Sequence, residues 1–331
     1  MTRVAAIDCG TNSIRLLVAD ADPATGELVD LDRRMTIVRL GQDVDRTGRL
    51  APEALERTFA ACTEYAEVIK AHGAVHLRFV ATSASRDAEN RDEFVSGVRD
   101  ILGVEPEVIT GDQEAEFSFT GATKELAGQG GEYLVVDIGG GSTEFVVGGE
   151  GVSAARSVDI GCVRLTERHV RHDPPTLGEI TAMRADIDAA LDEAAQTVPL
   201  SGNRTLVGLA GSVTTVAAIA LGLDAYDSTA IHHSRITAAQ VGEIAGNLLI
   251  SSHDERAAIP VMHPGRVDVI GAGAMILHSV MKRTGAREVV VSEHDILDGI
   301  ASHPAPPHES PSPERRPALT AHRAACSQML R

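Results

Sequence analysis

The chain has 331 residues, with 47 acidic against 30 basic side chains and a formal net charge of -17. That balance argues against a nucleic-acid binder, which presents a basic face to phosphates. A hydrophobic content of 43% is that of an ordinary soluble protein large enough for two domains, and no apolar run approaches the roughly 18 residues of a membrane span. No signal-peptide pattern precedes the first strand, so a cytoplasmic protein is expected. Cys9, Cys62, Cys162 and Cys326 are far apart and form no CxxC or Cys/His cluster, which predicts neither a zinc site nor a disulfide framework. Cys9 reads as a small buried residue at a strand end rather than a nucleophile.

In chain order, residues 4–20, VAAIDCGTNSIRLLVAD, read as strand, tight polar turn, strand. Residues 28–40 predict a further strand or two after a turn at 22–26. A helix starts near Pro52 and runs amphipathically to about His72. Residues 75–81 are a strand that delivers ATSASRDAENRDEF. Its Thr82, Ser83, Ser85, Arg86 and Asn90 form a polar cluster where strand passes into helix, which fits either a ligand site or a solvated loop. After a short strand at 107–110, Thr110 and Gln113 predict a capping box, with Asp112 and Glu114 in the first helical turn. Those acids either complement the helix dipole, or one of them stands near a cleft and accepts a proton from water.

Residues 134–148, LVVDIGGGSTEFVVG, predict a second hairpin. Gly139, Gly140 and Gly141 carry no Cβ, so their backbone N–H groups can approach a phosphate closely. Asp137 and Glu144 flank that turn and would repel an anion unless a divalent cation lay between, which suggests Mg²⁺ held by oxygen ligands. An isolated glycine-rich hairpin turn would look the same. The pattern occurs twice, however: laying Asp8 on Asp137 also superposes Gly10 on Gly139 and Ser13 on Ser142. Arg15 then matches Glu144, and Thr11-Asn12 match Gly140-Gly141. Two related hairpins imply two related domains facing one cleft, one offering a cation and polar donors, the other bare backbone and metal carboxylates.

Beyond this hairpin, residues 152–160 predict a strand. Arg164, Arg168 and Arg171 follow at helical spacing, as on a solvated face or a basic stripe. Residues 176–195 predict a long helix and 205–209 a buried strand. AGSVTTVAAIA then forms a small-residue turn into a helix, which is a weak phosphate-cradle signal. His232-His233 lacks the third ligand a metal site requires and reads as loop or structural histidine. Helices over 237–250 and within 263–283, a strand at 288–292 and a short helix at 295–301 complete the pattern. From residue 302 six prolines mark a tail expected to be disordered.

Seven segments in this order, IDCGTNSIRLLVAD, ATSASRDAENRDEF, VITGDQEAEFSFTGA, VVDIGGGSTEFVVG, DIGCVRLTER, LAGSVTTVAAI and HPGRVDVIGAGAMIL, resemble the Ppx/GppA family of exopolyphosphatases and guanosine pentaphosphate phosphohydrolases. The resemblance spans residues 4–301 and is closest to the short, two-domain actinobacterial members. It implies an α/β fold of two actin-like (ribonuclease H-like) domains, 1–122 and 123–301, flanking a cleft, within the actin, Hsp70 and sugar-kinase superfamily. The Pro-rich tail is 302–331. It further implies that Glu114 is the general base and that Asp137 and Glu144 hold Mg²⁺. Thr11, Asn12, Ser13, Arg15, Arg86, Gly139, Gly140, Gly141 and Ser142 would bind phosphate. Gln113 stands where the family often has an acid, and His233 where a glycine is common. The expected reaction is attack by water on the terminal phosphoryl group of inorganic polyphosphate. Alternatives are guanosine pentaphosphate hydrolysis, a sugar kinase, or a low-activity guanosine tetraphosphate-binding regulator in the stringent response. A homodimer is a family-based expectation.

Overall fold

The computed structural model describes residues 1–22, 25, 27–126 and 131–302. Most of the turn expected at 22–26, and the Pro-rich tail from residue 303, lie outside the described residues. The first unit contains β1 (Thr2–Cys9), β2 (Ser13–Ala21), β3 (Leu28–Ile37), α1 (Val44–Thr47), α2 (Pro52–His72), β4 (His76–Ala81), α3 (Ser83–Asp87), α4 (Arg91–Leu102), β5 (Glu107–Val108) and α5 (Gly111–Thr123). Next come β6 (Tyr133–Ile138), β7 (Thr143–Gly148), β8 (Val152–Val158), α6 (Cys162–His169), α7 (Leu177–Ala194), β9 (Thr205–Leu209), α8 (Ala210–Ala220) and α9 (Ser228–Ile231). The chain continues through β10 (Arg235–Thr237), α10 (Ala238–Ile250), α11 (His253–Ala257), α12 (Ile270–Thr284), β11 (Glu288–Val291) and α13 (Ile296–Ser302).

Local chemistry sets these bounds. α2 opens with Pro52 in its first turn and ends at Gly73, whose φ of 68° only a residue without Cβ adopts freely. Its inward stripe Ala54, Leu55, Thr58, Ala61, Cys62, Tyr65 and Ile69 recurs every three or four residues, and Tyr65 donates its hydroxyl to the Ile14 carbonyl at 3.0 Å. At α5 the expected capping box is complete: Thr110 accepts from the Gln113 N–H, and the Gln113 side chain accepts from the Thr110 N–H. Gln113 is thereby occupied as a cap, leaving the next residue, Glu114, to point inward.

The chain forms two mixed sheets. The first has order β3-β2-β1-β4-β5 and the second β10-β11-β9-β6-β7-β8. In each, a three-strand antiparallel meander is extended by parallel strands: β1 pairs antiparallel with β2 and parallel with β4, as β6 does with β7 and β9. The expected duplication is thus a duplication of topology, and the ribonuclease H-like α/β architecture follows from it. Helices exchange between the sheets. Ala115, Phe119, Ala122 and Leu126 of α5 and the turn after it pack with Tyr133, Val135 and Val146 of the second sheet. Ile296, Leu297 and Ile300 of α13 return to pack with Val4, Ala6 and Leu17 of the first. The two helices cross where neither has a side chain to spare: a Cβ at Gly121 would lie 1.9 Å from the Asp295 carbonyl, and one at Gly299 2.1 Å from that of Phe117.

Candidate active site

In an open α/β sheet, ligand sites form beyond the carboxyl ends of the strands, where neighbouring connections diverge. Here a cavity of about 90 Å³ collects the residues that follow β1, β4, β6 and β9: Thr11 and Asn12, Thr82 and Ser83, Gly139 and Gly140, and Ala210 and Gly211. The two hairpins superpose as their sequences suggest. Asp8 faces Arg15 across β1 and β2, and Asp137 faces Glu144 across β6 and β7. Both turns close through the same bond, Gly10 N–H to the Ser13 carbonyl at 2.9 Å and Gly139 N–H to that of Ser142 at 3.0 Å. They also face each other: a Cβ on Gly140 would come within 2.9 Å of the Thr11 side chain, and one on Gly141 within 2.6 Å of the Thr11 and Ser83 hydroxyls.

Of the predicted residues, Thr11, Asn12, Ser13, Arg15, Glu114, Asp137, Gly139, Gly140 and Ser142 line the cavity. Arg86, Gly141 and Glu144 do not. Gly141 turns toward a smaller crevice beside Thr11 and Arg164, and Glu144 is fully buried behind the lining. Arg86 Nη1 lies 3.4 Å from Glu114 Oε2 and 2.9 Å from the Ile109 carbonyl, so it braces Glu114 from outside the cavity.

Four carboxylates are buried together. Ser118 donates to Asp137 at 2.6 Å and Ser157 to Glu144 at 2.7 Å. Burial raises Asp137 to about 6, against the Ser118 hydrogen bond. Burial and the neighbouring Asp137 raise Glu144 to about 8. Glu114 is held well above the ordinary carboxylate range by burial and by Glu144, with Arg86 opposing. Asp8 is raised by burial against the attraction of Arg15. Asp8, Glu114 and Asp137 face the cavity with Glu144 behind them, and buried acids of this kind could hold a divalent cation through their oxygens. The orphaned Asp8 Oδ1 and Asn12 Oδ1, buried without a hydrogen-bond partner among the described residues, fit the same reading.

The cations divide into two kinds. Arg15 donates to Asp8 at 2.7 Å and is also paired with Asp295, so its charge is already balanced. Arg266, which no sequence pattern singles out, lines the cavity with no ion-pair partner among the described residues; it donates to the Thr215 hydroxyl at 3.1 Å, and desolvation lowers its pKa. Gly211 makes room for it, since a Cβ there would stand 2.3 Å from Arg266 Nη2. Ala210 takes a left-handed φ of 70° at the start of α8, a strained placement for a residue with a Cβ. The helix that follows has no side-chain cap, so its first N–H groups are available to an anion. The AGSVTT turn is therefore part of the site. Asp8 and Arg266 are further lining residues, and Asp295 stands behind Arg15 as its second ion-pair partner. Cys162 also borders the cavity, but burial raises its thiol and leaves it a poor nucleophile.

A second groove, of about 490 Å³, shares Arg15, Ala210, Gly211 and Arg266 with this cavity and extends past Arg33, Arg34, Tyr226 and His263. Beside the facing turns the two sheet units are clasped. Arg164 donates to the Gly141 carbonyl at 2.7 Å and to Asp45 and Asp87 at 2.5 and 2.6 Å, and Arg168 also reaches Asp45. Arg164 and Arg168 thus join the two units rather than forming a solvated stripe. Glu125, far away in the sequence, stands beside His232 and His233, each of the three offering an N or O atom within 4.8 Å of the other two.

The model of the Ppx/GppA phosphatase family matches residues 17–304. "Exopolyphosphatase 2" of Mycobacterium tuberculosis is 53% identical over 312 residues, which cover 91% of this chain and 98% of that protein. A "Guanosine-5'-triphosphate,3'-diphosphate pyrophosphatase" of Aeromonas salmonicida is 28% identical over 89% of this chain but only 58% of its own length. Among solved structures, that of an "exopolyphosphatase-like protein" superposes with a TM-score of 0.87 at 43% identity, over 91% of this chain and 97% of its own. The duplicated hairpins, the buried acids between them and a match across most of the sequence place the chain in the Ppx/GppA phosphatase family.

Proposed function

We propose that the chain is an exopolyphosphatase, which transfers the terminal phosphoryl group of inorganic polyphosphate to water and releases orthophosphate. The observation that carries this reading is the set of buried acids facing two phosphate-sized glycine and threonine turns, with an uncompensated arginine at their edge. Phosphoryl transfer needs positioning and neutralisation of charge more than a covalent nucleophile. The N–H groups of the turns and of the start of α8 hold non-bridging oxygens, and Arg266 balances their charge. Glu114, a stronger base than a solvated glutamate because burial and Glu144 raise it, orients a water and takes its proton as the new oxygen–phosphorus bond forms. The bridging oxygen–phosphorus bond breaks, and the shortened chain leaves with the electron pair.

Asp137 and Asp8, with Glu144 behind them, are the residues that would hold Mg²⁺; bound there, it supplies the positive charge that lets these acids ionise beside a polyanion. The wider groove past Arg33 and Arg34 has room for the rest of a polyphosphate chain. A cytoplasmic location also belongs to this reading, and a homodimer joins it on the family resemblance alone. Guanosine pentaphosphate hydrolysis, with a part in the stringent response, ranks second because the pyrophosphatase relative is more distant and longer. The deciding experiment compares kcat/KM for polyphosphates of graded length with that for guanosine pentaphosphate, with and without Mg²⁺. Preference for polyphosphate is expected; preference for the nucleotide by tenfold or more would overturn the assignment.

A further inference from the structure

Three consecutive carbonyls of the glycine turn are taken up by the start of α6. The N–H of Cys162 donates to the Gly139 carbonyl at 3.0 Å, and those of Val163 and Arg164 donate to the Gly140 carbonyl at 2.9 and 3.1 Å. Gly161, just before the helix, allows that approach, since a Cβ there would stand 2.3 Å from the Gly140 oxygen. The third carbonyl, that of Gly141, accepts instead from a side chain, Nε of Arg164, at 2.7 Å. In the first turn the Thr11 carbonyl accepts from the Gly41 N–H at 2.9 Å, and the Asn12 carbonyl from those of Val38 and Arg39 at 3.1 and 2.9 Å.

A trans peptide sets its C=O and N–H on opposite sides. With the carbonyls of residues 139–141 bound to α6, the N–H groups that follow them, of Gly140, Gly141 and Ser142, are turned away from that helix. Successive N–H groups turned one way make an anion-binding concavity, and Gly139, Gly140 and Ser142 line the cavity. A carbonyl set free in a stretch without Cβ atoms can rotate, and its oxygen then repels an anion.

Arg164 is well placed to prevent that rotation. Its side chain is 12% exposed, and its two terminal nitrogens end on Asp45 and Asp87 at 2.5 and 2.6 Å. Asp87 closes α3, the helix whose first residue, Ser83, shares a hydrogen bond of 2.8 Å with the Thr11 hydroxyl. One planar guanidinium thus fixes the last peptide of the glycine turn and ties it to the element beside the first turn.

We propose that Arg164 is a positioning residue for phosphoryl transfer, which locks the Gly141–Ser142 peptide with its N–H toward the anion. The inference rests on the hydrolase reading above. Arg168 provides the contrast: it joins the same units through Asp45 and Asp186 at 3.1 and 2.9 Å, but reaches no carbonyl of the turn among the described residues.

The test measures polyphosphate hydrolysis, orthophosphate binding by calorimetry and Tm, all in Mg²⁺, for the parent chain and for Arg164→Ala, Arg164→Lys and Arg168→Ala. Arg164→Ala should lower kcat/KM by about 10²-fold, as removal of one oxyanion donor does, and weaken orthophosphate binding about tenfold. Arg164→Lys keeps a charge for Asp45 and Asp87 but lacks the fork that also reaches the carbonyl, so it should recover the Tm of the parent and keep the low kcat/KM. Arg168→Ala should leave kcat/KM and orthophosphate affinity within about twofold of the parent, as the loss of a surface ion pair does. Unchanged kcat/KM in Arg164→Ala would overturn the proposal, as would its full recovery in Arg164→Lys. So would an equal loss in Arg168→Ala, since the clasp and not the peptide would then matter. A parent that binds orthophosphate yet frees none from polyphosphate sinks the hydrolase reading, and the orthophosphate affinities of the variants then decide on Arg164. A parent that binds no orthophosphate overturns both.

Discussion

Arg15 and Arg266 are both arginines on the same cavity, yet their chemistry differs because of what stands beside them. Arg15 neutralises Asp8 and Asp295, two acids that are each under a tenth exposed. Removing it leaves both uncompensated, so Arg15→Ala should cost about 3–5 kcal/mol of stability, read as a fall in the denaturation midpoint. Arg266 has no such duty, and Arg266→Ala should leave the midpoint nearly unchanged while raising KM for polyphosphate by about 10–100-fold, the loss of one charged hydrogen bond to the substrate. The opposite pattern would exchange their roles. The sequence made Arg15 visible because it pairs with Glu144 in the repeat, and left Arg266 unmarked in HPGRVD, where nothing local distinguishes a free guanidinium from a paired one. Asp8 was legible as the counterpart of Asp137, but the buried oxygen it leaves without a hydrogen-bond partner among the described residues is visible only in the structure.

Among the elements, the hairpins and caps could be read directly because their signals are local: two residues of turn chemistry, or a threonine three residues before a glutamine. The lodging of α5 on the second sheet and of α13 on the first could not. Periodicity tells which face of a helix is buried, and it is silent on which sheet lies beneath. Gly121 and Gly299 let these helices touch, but nothing in their local sequence names the partner. Gly121→Ala would force its Cβ against the Asp295 carbonyl, an overpacking worth about 1–3 kcal/mol. It should also displace Asp295 from Arg15, lowering both Tm and turnover; a variant with unaltered Tm would show that the crossing is looser than described. The same distance in sequence hid from view that Glu125 stands beside His232 and His233.

At the scale of the molecule, two sheets enclose a pool of acids that only a counter-charge makes comfortable. Without a cation, Asp137 and Glu144 bind protons more tightly folded than unfolded. Their stabilising contribution is therefore complete below unfolded values of about 4 and is lost as pH rises through about 6 and about 8. If Mg²⁺ is held by these acids as proposed, protons compete with it for the same oxygens, so the rise in Tm on adding Mg²⁺ should be small at pH 5 and grow toward pH 8. A rise independent of pH would place the ion outside this cluster. The clasp of Arg164 to Asp45 and Asp87 holds the turns face to face, and no composition or spacing announced it, because an arginine stripe on a helix is usually solvated. The most direct test of the whole account is orthophosphate release from polyphosphate in Mg²⁺ by the parent chain and by Glu114→Gln. Steady release is expected from the parent and a loss of about 10²–10⁴-fold in the variant, at an unreduced Tm. Release by Glu114→Gln close to that of the parent would contradict it, as would a parent chain that frees no phosphate from polyphosphate of any length.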